Sequence, residues 1–435
     1  MQTIVIAGVQ SGCGKTTATL AIIQYFMACG KKVCGFKAGP DFLDPLWHKK
    51  LTGLDSYNLD TRMTGLAECQ DKLLQAQQKD IEVSVVEGVM GLFDGRTGVG
   101  QDGSTLNLAQ QLGLDIWLVV DAKGMSGSIV PLVSGFKGFA EQCGVKITGI
   151  IANRVGSRHH AELLQAHLSE YHLPPLIAWL DKSVPPLPER HLGLVRPDDS
   201  PLPDFRAHLN IVEHDLPAFL AAPLEHKPQV LQDKQPNQPL KGKNIAVARD
   251  DACCFIYPAN IDWLKQQGAN IHYFSLLEGD KVPDNADALW LPGGYPELYA
   301  EQLSASDSLL SIKKIVQQHK PVLAECGGMM LLGQTLTDLQ GQSWTMAGVL
   351  PIETKMTPRL ASLGYRECRS GTFVGLKGHE FHHSIRESYH EVSPAFDVSR
   401  GDHGIISGSL IASYIHWYFP SSTQASLQFF LAVNK

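Results

Sequence analysis

Apolar residues in this chain gather into short runs, and between the runs they recur at every third or fourth position. In the first half the runs cover residues 3–7, 33–37, 82–87, 116–121 and 147–153, with amphipathic stretches such as 16–28 between them. Strand-length runs alternating with helix-length segments predict βαβ units around a parallel sheet. After about residue 195 the pattern breaks. Residues 197–243 hold many prolines and charges and end in Pro236-Asn237-Gln238-Pro239-Leu240-Lys241-Gly242-Lys243, which predicts a docking strap and linker. A second α/β pattern starts at 244–248 and runs through 288–291, a helix-like 309–318, 322–324 and a β-rich tail ending at 411–416. The expected fold class is α/β with two doubly wound domains, residues 1–196 and 244–435, joined by 197–243. No repeat at solenoid periods interrupts this order.

The chain's 435 residues, 44% of them hydrophobic, suffice for two or three ordinary cores, since a single core stops growing at roughly 250–300 residues. The balance of 37 basic against 44 acidic residues, −7 overall, provides no global basic field to attract nucleic acid or an anionic membrane. A local anion pocket is still compatible with it. No window reaches the roughly 18 apolar residues of a membrane span, and no basic leader with a greasy segment precedes the first strand, so a soluble, cytoplasmic protein is expected. Nine cysteines, an odd count spread mostly through apolar segments, fit reduced thiols better than a disulfide framework. There is no Cys-x-x-Cys pair, and no structural zinc is expected.

Chemistry concentrates at two places. The first apolar run leads into Gly8-Val9-Gln10-Ser11-Gly12-Cys13-Gly14-Lys15-Thr16-Thr17. A glycine-rich turn between strand and helix aims backbone N–H groups at phosphate oxygens, and the helix N-terminus adds partial positive charge. Gly12, Gly14, Lys15, Thr16 and Thr17 are therefore ATP-binding candidates, with Lys15 reaching the β/γ-phosphates and the Thr16 hydroxyl ligating Mg²⁺. Five residues separate Gly8 from Gly14, one more than in the common P-loop, and this variant resembles the dethiobiotin synthetase branch of P-loop proteins. Acids follow two further runs, in Gly39-Pro40-Asp41-Phe42-Leu43-Asp44-Pro45 and Glu87-Gly88-Val89-Met90-Gly91-Leu92-Phe93-Asp94-Gly95. Strand-end carboxylates of a doubly wound sheet converge beside the phosphate loop. Asp41 and Glu87 are the expected Mg²⁺ ligands, directly or through water, and Asp44 and Asp94 are expected near the substrate and its phosphorylated form. Asp44 or Asp94 taken singly is also readable as a solvated turn residue. Glu87 ends an apolar run, where an unpaired carboxylate would be costly. Asn153 and Arg154 end another run, where they would read the adenine edge, by analogy with the same branch, or simply cap a loop.

The second place is Glu325-Cys326-Gly327-Gly328 after the run 322–324. A nucleophile on a sharp strand-to-helix turn has its side chain pushed into the open, and small residues after it permit the tight geometry. Cys326 fits, with its thiolate favoured by the helix N-terminus and a nearby imidazole. The backbone amides of Gly294, in Leu291-Pro292-Gly293-Gly294-Tyr295-Pro296-Glu297, and of Gly327 would form the oxyanion hole. The base should be a late histidine: His416 is preferred, with His379, His382 and His383 as competitors. That last cluster also admits a metal, although no matched second group of ligands follows it.

With both ends in view, the chain resembles, over nearly its full length, the cobyrinic acid a,c-diamide synthase family, corrin-pathway enzymes that join a dethiobiotin-synthetase-like ATP domain to a class I glutamine amidotransferase domain. The resemblance rests on residues 11–17, 39–45, 87–95, 188–194, 246–250, 292–297, 325–328, 378–384 and 413–416. It implies a ligase: glutamine is hydrolysed at Cys326, ammonia travels inside the protein, and ATP phosphorylates the c and then the a carboxylate of the macrocycle. Each acyl phosphate is then captured as a carboxamide. It also implies macrocycle contacts at Arg190 and His191, since a multiply anionic corrinoid wants guanidinium partners. ATP and glutamine are then co-substrates, and a homodimer is compatible.

Two positions depart from the family. Tyr418 stands where these domains usually carry Glu or, in this family, a second His, so the partner orienting His416 is open. Cys253-Cys254, where a bulkier apolar residue is usual, read as packing thiols. The same chemistry on hydrogenobyrinic acid or a nickel sirohydrochlorin is equally compatible with the residues. A partition-type regulatory ATPase would normally carry an additional lysine early in the loop, where this chain has Val9-Gln10-Ser11.

Overall fold

The computed structural model describes residues 1–95, 100–187, 202–212, 216, 238–388 and 391–431. It divides into two compact units, Met1–Gln229 and Val230–Lys435. Arg190 and His191 lie outside the described residues.

The first unit is built on eight strands: β1 (Gln2–Gly8), β2 (Val33–Ala38), β3 (Tyr57–Leu59), β4 (Val83–Glu87), β5 (Ile116–Asp121), β6 (Ile147–Val155), β7 (Leu176–Asp181) and β8 (Leu209–Ile211). Their order in the sheet is β3-β2-β4-β1-β5-β6-β7-β8, parallel except for the β7–β8 pair. Strands such as β2 and β4 are buried along their whole length, as expected where helices cover both faces of a parallel sheet. Two apolar clusters lie against the sheet, one around Val5, Phe36 and Leu118 and the other around Ile4, Phe26 and Trp117. The order reverses at β1, between β4 and β5, so the crevice beyond the carboxyl ends of these strands is where an α/β sheet binds ligands. Two helices bear on that crevice, α1 (Lys15–Ala28) and α2 (Leu43–Thr52). Within the stretch expected as strap and linker, Leu209–Ile211 extends the sheet and Phe205 is fully buried.

The second unit has a six-stranded sheet made of β9 (Asn244–Ala248), β10 (Asn270–Phe274), β11 (Ala288–Leu291), β12 (Val322–Glu325) and two late strands. The β-rich tail begins with β13 (Thr335–Thr337), β14 (Ser343–Thr345) and β15 (Ile352–Met356). It continues with β16 (Ser362–Glu367), β17 (Lys377–His382), β18 (Ser384–Ser388), β19 (Ile405–Ser407), β20 (Leu410–Ser413) and β21 (Ile415–Tyr418). The sheet orders are β10-β9-β11-β12-β20-β19, β14-β13-β15-β18 and β16-β17-β21. Ser413 ends β20 and Ile415 begins β21, so at Tyr414 the chain leaves the main sheet for the small one. That step carries His416 toward the end of β12.

Candidate active sites

At the phosphate loop, Gly14 adopts φ +94° and directly precedes α1; a methyl group there would lie 2.0 Å from the Asn153 side-chain nitrogen, so only glycine fits. Asn153 donates to the Cys13 carbonyl at 2.9 Å and thereby tethers the loop to β6. Lys15 folds back on the Gln10 carbonyl at 3.2 Å, and its burial holds its pKa below the ordinary lysine value. A cleft of about 870 Å³ opens over the loop and is lined by Lys15, Thr16, Lys37, Asp41, Asp44 and Glu87, among others.

Glu87 is completely buried, yet three groups meet it directly and a fourth lies one hydrogen bond away. The Thr16 hydroxyl donates to Oε1 at 2.6 Å, Lys37 Nζ stands 3.3 Å from the same oxygen, and His48 Nε2 donates to Oε2 at 2.9 Å. The fourth, Asp44, comes through Thr16, whose hydroxyl lies 3.5 Å from Asp44 Oδ1. Burial alone would raise the Glu87 pKa, but Lys37 and His48 outweigh it and keep the carboxyl ionised. Burial likewise disfavours the Lys37 ammonium, and Asp44, Glu87 and Asp41 together overcome that, so Lys37 stays charged. Lys37 also contacts Asp44 directly and donates to the Gly88 carbonyl at 3.1 Å. Asp44 is pushed well above the usual carboxylate range by burial and then by Asp41 and Glu87.

Asp41 Oδ1 accepts from the backbone of Leu43 at 2.8 Å and Asp44 at 3.3 Å, which shapes the entry to α2, while Oδ2 lies 3.8 Å from Lys37. Asp94 is exposed and accepts from the Gly91 N–H at 2.7 Å, and it is not among the residues lining the cleft. Thr17 lines the cleft from the first turn of α1. Among the described residues no cluster of three acid, cysteine or histidine side chains forms a metal cage by itself. Oxygen donors from Thr16 and Glu87 beside a phosphate loop instead fit Mg²⁺, which is usually shared between one or two carboxylates and substrate phosphates.

In the second unit Cys326 sits between β12 and the short helix Gly327–Met330 at φ 47°, ψ −109°, a conformation an L-residue reaches only under strain. Its N–H donates to the Ser413 carbonyl at 2.7 Å. Gly293 marks how close the reactive groups are: a methyl on it would stand 2.3 Å from His416 Cε1 and 3.2 Å from Cys326 Cβ. A methyl on Gly327 would come within 3.0 Å of the Gly294 nitrogen, so the two backbone segments expected to hold an oxyanion adjoin each other. Cys326 and His416 are both buried. Burial, and then the half-buried Glu297 carboxylate, push the Cys326 thiol up, while burial pulls His416 down to about 3, with His379 and His382 adding to the effect. The resting pair is thus a neutral thiol beside a neutral imidazole.

Of the competing histidines, His379 is the cross-strand neighbour of His416. His382 has its ring nitrogens against the Ser384 carbonyl at 2.7 Å and Glu380 at 2.9 Å, and its ring stacks on Tyr414. His383 packs edge-on to Phe381. The ring of Tyr418 packs edge-on to Tyr257, and Cys253 and Cys254 are both buried.

Two family models cover most of the chain. Residues 4–194 match the CobQ/CobB/MinD/ParA nucleotide binding domain, and residues 244–424 match the CobB/CobQ-like glutamine amidotransferase domain. The cobyrinate a,c-diamide synthase of Herminiimonas arsenicoxydans is 36% identical, covering 98% of this chain and 96% of that protein. Those of Priestia megaterium (36%; 97% and 95%) and Synechocystis sp. (37%; 96% and 91%) align over a similar extent. The chain belongs to the cobyrinate a,c-diamide synthase family.

For a member of the cobyrinate a,c-diamide synthase family, three of the residues at these sites carried no motif. Lys37 closes the run 33–37, and a lysine inside a buried strand was the available signal, because a lysine is almost never fully buried without a partner. His48 is fully buried over Gly35, where a methyl would lie 2.7 Å from its ring, and its Nδ1 meets the Ser56 hydroxyl at 3.0 Å. Nothing in the spacing of His48 and Ser56 pointed to Glu87, since only the fold brings them together.

Proposed function

We propose that the protein is a glutamine-hydrolysing ligase that amidates the a and c side-chain carboxylates of cobyrinic acid at the expense of ATP, in cobalamin biosynthesis. Residues 1–196 form the ATP-dependent amide-synthase part, 197–243 the strap and linker, and 244–435 the glutaminase. Thr16, Glu87 and Asp41 would hold Mg²⁺, which when bound neutralises phosphate charge. Lys15, the amides of Gly12 and Gly14, and Thr17 cradle the phosphates, with Asn153 holding the loop and its neighbourhood facing the adenine. Each macrocycle carboxylate attacks the γ-phosphate and becomes an acyl phosphate beside Asp44, with Arg190 and His191 assigned to the same substrate. In the other unit His416 takes the Cys326 proton as sulfur attacks the glutamine amide carbon, and the N–H groups of Gly294 and Gly327 receive the developing oxyanion. Ammonia leaves, and water hydrolyses the thioester. The ammonia displaces phosphate from the acyl phosphate.

The observation that carries this function is the approach of Cys326 and His416 around Gly293, in a chain that also holds a complete phosphate loop. Nine free cysteines support a reducing, cytoplasmic setting, and the assembly is proposed as a homodimer, to be read from its sedimentation mass. The test is incubation with ATP, Mg²⁺, glutamine and cobyrinic acid. Mass spectrometry should find two hydroxyl-to-amide exchanges per macrocycle; none with any tetrapyrrole acid would rule the function out.

A further inference from the structure

Strand β21, which carries His416, lies at the edge of its small sheet: β17 pairs with one side of it, and among the described residues no strand pairs with the other. An unpaired edge leaves backbone groups that must find partners when buried. Here side chains serve. The Trp417 N–H donates to Glu325 Oε1 at 2.8 Å, the Asn260 amide nitrogen donates to the Trp417 carbonyl at 2.8 Å, and the Phe419 N–H donates to the Asn260 amide oxygen at 2.8 Å. Glu325 and Asn260 are both buried to within 1% of full exclusion. Three outward-facing backbone groups, on Trp417 and just past the strand on Phe419, are thus partnered by two side chains acting as a surrogate strand.

The placement of Glu325 gives this ladder a consequence for chemistry. Glu325 is bonded covalently to the nucleophile Cys326, and its carboxylate grips the residue next to the base. Its other oxygen, Oε2, accepts from the Trp290 indole N–H at 2.9 Å, on the strand that leads into Gly293 and Gly294. One carboxylate therefore connects the nucleophile, the base and the approach to the oxyanion loop. Burial pushes this carboxyl up to about 8, while the two N–H donors work against that.

We infer that Glu325 and Asn260 are positioning residues for glutamine hydrolysis: they fix the register of β21 so that the His416 imidazole stands beside the Cys326 sulfur. The inference rests on the assignment of Cys326 and His416 above. Glu325→Gln places an NH₂ group opposite an N–H donor, and Asn260→Asp places an oxygen opposite the Trp417 carbonyl; both keep side-chain shape. In the full-length enzyme, kcat for glutamine hydrolysis should fall by about 10- to 100-fold in each variant, the cost of a sub-ångström to 1 Å misplacement. KM for glutamine should stay within about threefold, and synthesis from free ammonia within about twofold. Alkylation of Cys326 by iodoacetamide should slow in parallel with kcat. If either variant, assayed well below its unfolding temperature, hydrolyses glutamine with the parent kcat, the ladder is merely structural and the inference is overturned. Should Glu325→Gln fail to fold, Asn260→Asp carries the same test. A Cys326→Ala variant that still hydrolysed glutamine would instead overturn the assignment beneath the inference.

Discussion

The two reactive regions treat charge in opposite ways. In the phosphate crevice a buried, charged Lys37 stands beside the ionised Glu87, so opposite charges are present before any ligand arrives, each held by the other. Around Cys326 burial removes charge, leaving a thiol and an imidazole that are both neutral at rest. The difference suits the roles proposed above for the two sites. Phosphate binding benefits from a fixed field that needs no reorganisation, whereas a thiolate is needed only while it attacks, and suppressing it between turnovers limits oxidation of a reactive sulfur.

The sharpest way to break this contrast is to remove one chemistry at a time. Cys326→Ala should lower glutamine-dependent diamide formation by about 10⁴-fold or more, the scale seen when a covalent nucleophile is deleted, while free ammonia still supports synthesis. Product masses with glutamine and with ammonium salt give the comparison directly, and a joint loss would contradict the division of labour. Lys15→Ala should reduce synthesis by roughly 10²- to 10³-fold with either nitrogen source. Gly293→Ala tests closeness rather than identity. Its methyl would intrude 2.3 Å from His416 Cε1, so glutamine hydrolysis should drop by about 100-fold with ammonia-driven synthesis intact.

The suppressed charge at His416 has a pH signature. The unfolded imidazole titrates near about 6.5, the folded one at about 3, so between these values the unfolded chain binds a proton that the folded chain refuses. Stability from this group is complete above about pH 6.5 and declines as pH falls toward 3, by at most about 1.4 kcal/mol per unit. Glu325, raised to about 8, acts in the opposite sense, losing stability as pH rises from its ordinary value through 8. Comparing urea unfolding at pH 7.5 and 5.5 for the parent and His416→Gln isolates the histidine; the parent should lose about 1 kcal/mol more over that interval. An equal loss in both would show that His416 is not held neutral by burial. The smallest effect concerns backbone strain. At φ 47° glycine is at ease and alanine is not, so Cys326→Gly should unfold about 1 kcal/mol later than Cys326→Ala, reversing the usual order of these residues.

Much of this contrast was legible in the sequence. The α/β alternation, the phosphate loop and the thiol turn show because each depends on neighbours in the chain: a glycine where a turn demands it, an apolar run where a strand is buried on both faces. Five strands were visible in the first unit; Leu176–Asp181 was missed, and the three-residue strands Tyr57–Leu59 and Leu209–Ile211 are too short to show periodicity. Asp94 looked like a crevice acid by its motif, yet its carboxylate turns back on Gly91 to close its own loop. His48 and Asn260 stayed hidden because their partners lie 39 and 157 positions away, joined to them only by the fold. Residues that do chemistry announce themselves through local geometry, while residues that hold them in place do so through distant contacts.

The ammonium of Lys37 bears on how the enzyme is handled. Because a counter-ion for the acidic crevice is built into the polypeptide, exhaustive chelation should leave the amino-terminal core intact, ready for divalent ions to be titrated back against nucleotide from a true zero.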